Sequence, residues 1–231
     1  MLLSIIRQNQ KLAAKRNPAF DRNRFAKFLI YFMVAFWAAY LIFIGVMLSF
    51  AFEDIFPSME PYHIMNQGLI YLLILDFLLR FMLQPAMSQE IKPYLLMPVK
   101  KNKLVDTLLL QSGISSYNFF WFFLIIPFAL LTIIRFYGLT GILCYLCGIW
   151  LLMVMNSYWY LICKTLLNEK LLYILLPIGV YGLLAGAEFI PEGNPVSTFM
   201  MNLGEGFIEG NILAFLGVIA AILLLLLVNR K

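Results

Sequence analysis

Long apolar stretches alternate with short polar segments along the whole chain. A helix that crosses a membrane needs about 20 mostly apolar residues, and six stretches meet that requirement. These predicted spans cover residues 25–52, 63–86, 104–134, 139–167, 171–189 and 211–228. The pattern therefore predicts an all-α, polytopic membrane protein with six transmembrane helices, all within a transmembrane domain at residues 25–231.

Composition agrees with a protein that is dissolved in lipid. Hydrophobic residues make up 63% of the chain and charged residues only 13%, whereas about a quarter of the residues of a soluble domain are charged. The net charge of +5 would point to nucleic acid in a soluble protein. Here the basic residues follow the membrane topology instead, so we expect the lipid bilayer and no nucleic acid as a partner.

Basic and acidic residues fall on opposite sides of the predicted spans. Cytoplasmic loops of membrane proteins are enriched in Lys and Arg. Every basic residue except Arg80, inside a span, and Arg135 lies in the N-terminal segment, the second loop, the fourth loop or the C-terminus. The first and fifth loops carry acidic residues instead: Glu53, Asp54, Glu60, Glu188, Glu192, Glu205 and Glu209. This alternation predicts that both termini are cytoplasmic.

Two segments outside the spans have an amphipathic pattern. Residues 1–24 combine apolar positions with basic and polar ones, which predicts an interfacial helix on the cytoplasmic side. Residues 188–210 carry apolar positions at helical spacing: Val196, Phe199, Met200, Leu203, Phe207 and Ile208. This spacing predicts short helices that re-enter the outer interface; an ordinary surface loop is the alternative.

Asp76 and Arg80 are the charged pair inside a predicted span. Their separation of four residues places them on one helix face, and charges at membrane depth pair or face water. The pair is either a gate or pathway lining, or a structural ion pair. A pathway for ions would show more acidic or histidine residues at depth, so the structural interpretation is favoured.

Other polar residues in the third and fourth spans are small or carry amides. They are Gln111, Ser112, Ser115, Ser116, Asn118, Asn156 and Ser157. Such side chains commonly serve helix packing within membranes, and a substrate path could use the same residues.

Motifs for catalysis are lacking in the sequence. It contains no G-x-x-x-x-G-K-[ST], H-E-x-x-H or G-x-S-x-G pattern, and His63 is its one histidine. Cys144 and Cys147 have C-x-x-C spacing but no histidine or acidic residue close by, so we interpret them as packing residues. We therefore predict that the chain is not an enzyme, with no catalytic residue, no metal site and no cofactor of its own.

The loop between the second and third spans is the most distinctive segment of the sequence. Residues 89–103 place Tyr94, Leu95, Leu96 and Met97 between prolines and lysines. Apolar residues surrounded by charge on a cytoplasmic loop indicate a docking surface. The alternative is a segment that merely rests on lipid.

With this loop, the chain resembles the ABC-2 type exporter permeases. In that family an N-terminal connecting helix precedes six spans, a coupling helix lies between spans two and three, and short re-entrant helices precede span six. Further residues resemble a bacterial subfamily of uncharacterised permeases, whose members are longer than this chain. These residues are Phe56, Pro57, Asn66, Tyr71, Asp76, Arg80, Phe81, Gln84, Asn118, Pro127 and Phe128.

The resemblance implies a permease subunit in the bacterial cytoplasmic (inner) membrane. Its partners would be a cytoplasmic ABC ATPase, which holds ATP and Mg, and a second permease copy or homologue in a dimer. Closure of the ATPase would push on residues 89–103 and on the connecting helix at residues 1–24. The implied ATPase-docking residues are Tyr94, Leu95, Leu96, Met97, Lys100 and Lys101, supported by Ile5, Ile6 and Lys11.

Two other classes of protein fit the same spans. A secondary transporter often shows inverted repeats and broken helices at mid-membrane, and neither is clear in the sequence. A non-transporting membrane scaffold or assembly factor is the third possibility.

Overall fold

The computed structural model describes residues 24–84, 101–189 and 193–230, together with Ser4, Ile6, Gln8, Asn9 and Leu12. Within these ranges the regular elements are all helical, which confirms the predicted all-α class. The helices are α1 (Arg24–Ile55), α2 (Pro61–Gln67), α3 (Leu69–Leu83), α4 (Lys101–Gly113), α5 (Phe122–Thr132), α6 (Ile134–Glu169), α7 (Leu175–Phe189), α8 (Pro195–Ile208) and α9 (Ile212–Arg230). Short 3₁₀ turns occupy Ser116–Phe119 and Leu171–Ile174.

Four stretches of helix are long and apolar enough to cross a membrane by themselves. They are Lys27–Ile55, Ile134–Glu169, Leu171–Phe189 and Ile212–Arg230. Two further pairs of helices reach this length only together: α2 with α3, bent by 47°, and Asn102–Phe119 with α5, bent by 57°. The described part of the chain therefore has four candidate spans, or up to six if each bent pair is one span.

The second and third predicted spans are thus broken rather than continuous. Gly68, a poor helix former, separates α2 from α3. Between α4 and α5, Asn118 Nδ2 donates to the carbonyl oxygens of Gly113 at 2.5 Å and Ser112 at 3.2 Å. The Ser112 carbonyl also accepts from the backbone N–H of Ser115 at 3.2 Å, so the Asn118 amide supplies only part of the hydrogen bonding that a continuous helix would provide here.

Helix α6 forms the centre of the protein. Of its most apolar window, 44% is buried, against 11% for the corresponding windows of α1, α7 and α9. Tyr145, Ile149, Leu152 and Met153 recur at helical spacing on its buried face, as expected for a helix that packs along one stripe. Gly138, with φ 62°, interrupts its first turns, close to the predicted start of the fourth span at residue 139.

Helix α1 packs mainly against α5 and exposes most of its other surface. A Cβ atom at Gly45 would lie 2.2 Å from the carbonyl oxygen of Leu124, so the two backbones touch there because glycine has no side chain. Away from this contact, Phe28, Phe32 and Phe36 form an exposed ladder of stacked rings. Exposed aromatic and aliphatic surface of this kind suits contact with lipid.

Two exposed ion pairs join helices that are far apart along the chain. Arg135 Nη1 lies 2.7 Å from Glu53 Oε1, which joins the start of α6 to the last turn of α1. Arg230 Nε lies 3.1 Å from Asp106 Oδ1, which joins the end of α9 to α4. Exposed pairs contribute only about 0.2–1 kcal/mol each. They matter more for where they lie than for their energy. Arg135 is the basic residue that falls among the acidic loops of the predicted topology, and it pairs with Glu53, an acidic residue of the first of these loops.

Candidate functional site

A buried polar cluster lies where α3, α5 and α6 meet. Asp76 and Arg80 of α3 are both buried, at 3% and 1% exposure. Arg80 Nε donates to Asp76 Oδ2 at 2.6 Å. The predicted spacing therefore brings the two side chains together along one face of the helix.

The Asp76 carboxylate also accepts hydrogen bonds from two other parts of the chain. Trp121 Nε1, just before α5, donates to Oδ1 at 2.9 Å, and Asn156 Nδ2 of α6 donates to Oδ2 at 2.7 Å. Asn156 also donates to the carbonyl oxygen of Leu73 at 2.9 Å. One carboxylate thus joins α3 to α6 and to the residue that precedes α5. No sequence pattern signalled this set of contacts, because its members lie far apart along the chain.

Arg80 uses fewer of its hydrogen-bonding atoms than Asp76 does. Among the residues that the structure describes, neither Nη1 nor Nη2 of Arg80 has a hydrogen-bond partner, although both atoms are buried. A buried polar group without a partner costs about 1–3 kcal/mol, and more when it is charged. The ion pair is thus formed as predicted, while the guanidinium retains donors for a further acceptor; its role as a structural pair or as a pathway lining stays a prediction.

A second basic residue holds the end of α3. Lys164 Nζ, on α6, donates to the carbonyl oxygens of Phe81, at 2.7 Å, and Gln84. Tyr160 Oη also donates to the carbonyl oxygen of Gln84, at 3.0 Å. Because the last carbonyls of a helix have no partner within it, these two side chains cap α3. Lys164, counted among the basic residues near the fourth loop, is partly buried.

Most of the predicted docking residues lie outside the described part of the chain. Tyr94, Leu95, Leu96, Met97, Lys100, Ile5 and Lys11 are in this group. Lys101 is the first residue of α4. Ile6 is 1% exposed and belongs to the hydrophobic core; its part in docking stays a prediction.

Two of the polar residues of the third and fourth predicted spans contact each other. Ser112 Oγ and Ser157 Oγ lie 2.8 Å apart and join α4 to α6. Tyr158 Oη donates to the carbonyl oxygen of Leu109 at 3.1 Å. These contacts show the packing role that small and hydroxyl-bearing residues often have between membrane helices.

Helix α8 begins at a buried carboxylate. Glu188, at the end of α7, is 5% exposed, and its Oε2 accepts from the backbone N–H groups of Val196 and Ser197, both at 3.0 Å. Its Oε1 accepts from Ser197 Oγ at 2.5 Å. A carboxylate at this position satisfies the free N–H groups of the first turn and complements the helix dipole.

Helix α8 is held against α2 and α6 by close contacts near its far end. His63 Nδ1 lies 2.5 Å from Glu205 Oε1. A Cβ at Gly204 would lie 2.4 Å from Asn66, and one at Gly148 would lie 2.2 Å from Phe207. The 14-residue helix therefore lies within the segment for which short helices were predicted, and it is docked on the protein; its placement at a membrane surface stays a prediction.

A cavity of about 540 Å³ lies between the start of α8 and the ends of α1, α2 and α7. Its walls include Phe52, Gln67, Tyr71, Asn194 and Thr198. The volume is in the range of small-molecule sites, and the walls combine aromatic rings with amide and hydroxyl groups. The cavity lies on the side of the protein that carries the acidic loops.

The fold and these sites define an all-helical protein with several helices that are compatible with crossing a membrane. The chain belongs to a family of unknown function (DUF5687), which matches residues 10–231. No curated protein and no solved structure matches it.

Proposed function

We propose that the chain is the transmembrane permease subunit of an ATP-driven ABC exporter. In this role it couples a separate cytoplasmic ATPase, which binds ATP and Mg, to the export of a substrate. The observation that carries the proposal is α8, a short helix docked immediately before the last candidate span. ABC-2 type permeases, which the sequence resembles, have short re-entrant helices at this place.

The proposal includes six spans, cytoplasmic termini and a location in the bacterial inner membrane, with an amphipathic connecting helix at residues 1–24. Six spans result if each bent pair of helices crosses once. The pairs Glu53–Arg135 and Asp106–Arg230 support the alternation, because each joins residues assigned to the same side. The basic residues of the loops support the orientation.

Cysteine labelling tests this topology. In a variant without Cys144, Cys147 and Cys163, a membrane-impermeant maleimide is expected to label Asp54→Cys and Glu209→Cys in intact cells. Lys103→Cys and Lys170→Cys should react only after permeabilisation. All four positions are exposed, so access to the reagent decides the result. Labelling of position 103 or 170 in intact cells would refute the orientation.

The contacts at the end of α3 support a path for transmitting force. The proposed coupling segment, residues 89–103, connects α3 to α4. Lys164 and Tyr160 attach the α3 end to α6, the central helix. Movement of the segment under a closing ATPase would thereby reach the buried part of the protein, and a second permease copy would complete the translocation path.

Capture of the ATPase is the direct test of the proposed function. The tagged chain in detergent is expected to retain a nucleotide-binding subunit, and Tyr94→Asp, Leu95→Asp or Met97→Asp should each reduce its recovery at least tenfold. A charge in an apolar contact is costly to desolvate. Met59→Asp, at an exposed position of the first loop, is the matched control and should leave recovery unchanged. A folded wild-type chain that retains no ATPase would contradict the proposal.

One observation favours the secondary transporter as a second candidate. The two bends, of 47° and 57°, are broken helices of the kind that such transporters place around a substrate site. Transport in proteoliposomes that follows an ion gradient without nucleotide would support this candidate. Transport only with ATP and the captured ATPase would support the exporter.

A further inference from the structure

Two nitrogens of the Arg80 guanidinium, Nη1 and Nη2, have no hydrogen-bond acceptor in the described part of the protein; we call this pair of nitrogens the fork. Its Nε is bonded to Asp76 Oδ2, while Trp121 occupies Asp76 Oδ1. The carboxylate therefore does not engage Nη1 and Nη2, and in the described part of the protein these atoms have no acceptor. The parallel N–H groups of a guanidinium match the geometry of carboxylate and phosphate oxygens. The fork is thus suited to a planar or tetrahedral oxyanion.

The charges beside this fork favour an anion. Lys164 Nζ donates to the carbonyl oxygen of Phe81, the residue next to Arg80. Together, Arg80 and Lys164 carry two positive charges and Asp76 carries one negative charge. This group of three is therefore net positive, and one added negative charge would neutralise it. Neutrality matters because an uncompensated charge is costly in a medium of low polarity.

The surroundings of the fork are aromatic. Phe77 packs against Phe81 and against Tyr181 of α7, with ring centroids 5.9 and 5.1 Å apart, and the Trp121 indole donates to Asp76. Aromatic side chains therefore lie next to Asp76 and Arg80 along α3, and Trp121 contacts the pair directly. This combination suits the phosphate of an amphiphile better than a fully hydrated ion.

A break in the helices lies beside the Asp76–Arg80 pair. Arg80 is 1% exposed, so the site is closed in this conformation. Trp121 stands at the junction of Asn102–Phe119 and α5, where the chain bends by 57°. The Trp121 carbonyl oxygen accepts from the backbone N–H groups of Leu124 and Ile125, so a ligand would enter here by rotation of the indole side chain, which breaks its hydrogen bond to Asp76.

We propose that Arg80 binds the phosphate group of a ligand carrying a single negative charge, with Lys164 as the second cation. The phosphate can belong to a phospholipid or be free in solution, and both offer the same oxygens to the fork. This inference goes beyond the proposed exporter function, since it concerns binding alone and is independent of whether an ATPase drives transport.

Fluorescence of Trp121 tests the proposal, because its indole N–H is bonded to the same carboxylate as Arg80. Replacing Trp37, Trp150 and Trp159 by Phe leaves Trp121 as the only tryptophan. The purified chain in non-ionic detergent is titrated with short-chain phosphatidylglycerol, with diacylglycerol of the same chain length and with inorganic phosphate. We expect a saturable change in emission with phosphatidylglycerol and none with diacylglycerol.

Two variants assign the binding to the fork. Arg80→Lys keeps the charge but lacks the fork, so the Kd for phosphatidylglycerol should rise at least tenfold. Lys164→Met leaves the Asp76–Arg80 contact in place and should raise the Kd about threefold or more through loss of one charge. The unfolding midpoint of each variant is measured first. Native mass spectrometry of the otherwise unaltered chain gives the same comparison if the tryptophan replacements disturb folding.

Each outcome has a defined meaning. If the Trp121 emission change saturates with phosphatidylglycerol but not with inorganic phosphate, the site binds a phosphate carried by a lipid. If it also saturates with inorganic phosphate, the site accepts a free anion too. An equal response to diacylglycerol, an unchanged Kd in Arg80→Lys, or no saturable response to either phosphate would overturn the proposal and leave water as the partner of the fork. Failure to capture an ATPase would affect the exporter proposal only.

Discussion

Asp76→Asn is expected to lower the free energy of unfolding by about 3–5 kcal/mol, the cost of leaving one partner of a buried ion pair alone. The substitution keeps the size of the side chain but removes its charge. Arg80, Trp121 and Asn156 would then direct three donors at a neutral amide, and the amino group of that new amide would itself oppose one of these donors. A large fall in the unfolding midpoint in detergent is the measurement.

A matched control separates the effect of burial on stability from the effect of the Asp-to-Asn change itself. Asp54→Asn makes the same chemical change at an exposed position and should alter stability by no more than about 0.5 kcal/mol. A double variant, Asp76→Leu with Arg80→Met, should be more stable than Asp76→Asn, because replacing both members of a buried pair avoids an isolated charge. If Asp76→Asn were as stable as Asp54→Asn, the pair would not be buried as described.

Gly148→Ala is expected to have the second largest effect, with a loss of about 1–3 kcal/mol from overpacking. The added methyl group would lie 2.2 Å from Cγ of Phe207, a fully buried ring. The end of α8 must therefore move away from α6. The loss should appear as a lower unfolding midpoint and as faster proteolysis within α8.

The same substitution on α7 provides the control. Gly179 has nothing within 4 Å of an added Cβ, so Gly179→Ala should leave stability unchanged or raise it, because alanine is the better helix former. Combining Gly148→Ala with Phe207→Leu should recover part of the loss by making room for the methyl group. Equal stability of Gly148→Ala and Gly179→Ala would show that α8 does not pack on α6 through this contact.

Hydropathy and charge predicted the helical class and the approximate position of the candidate spans. These properties add up locally, because each residue contributes its own transfer free energy to its segment. The same is true of the apolar spacing from Val196 to Ile208, which predicted a helix where α8 is found, and of Asp76 and Arg80, which are neighbours because they are one helical turn apart. Local chemistry was enough for all of these.

Hydropathy did not distinguish the central helix from the peripheral ones. The most apolar windows of α1 and α6 have mean hydropathies of 2.3 and 2.0, yet 11% of one and 44% of the other is buried. In a membrane both lipid and protein favour apolar side chains, so hydropathy carries no information about which of them a helix contacts. The breaks at Gly68 and Asn118 were missed for a related reason, since apolar residues continue on both sides of each break.

The sequence by itself therefore determined that the segments are helical, where the apolar stretches lie, and which of them have basic or acidic ends. Only the tertiary structure decided which segments meet. It placed Trp121 and Asn156 on Asp76, Glu188 at the start of α8, and Lys164 at the end of α3. Contacts of this kind depend on the paths of whole helices through three dimensions, and the residues involved carry no shared pattern along the chain.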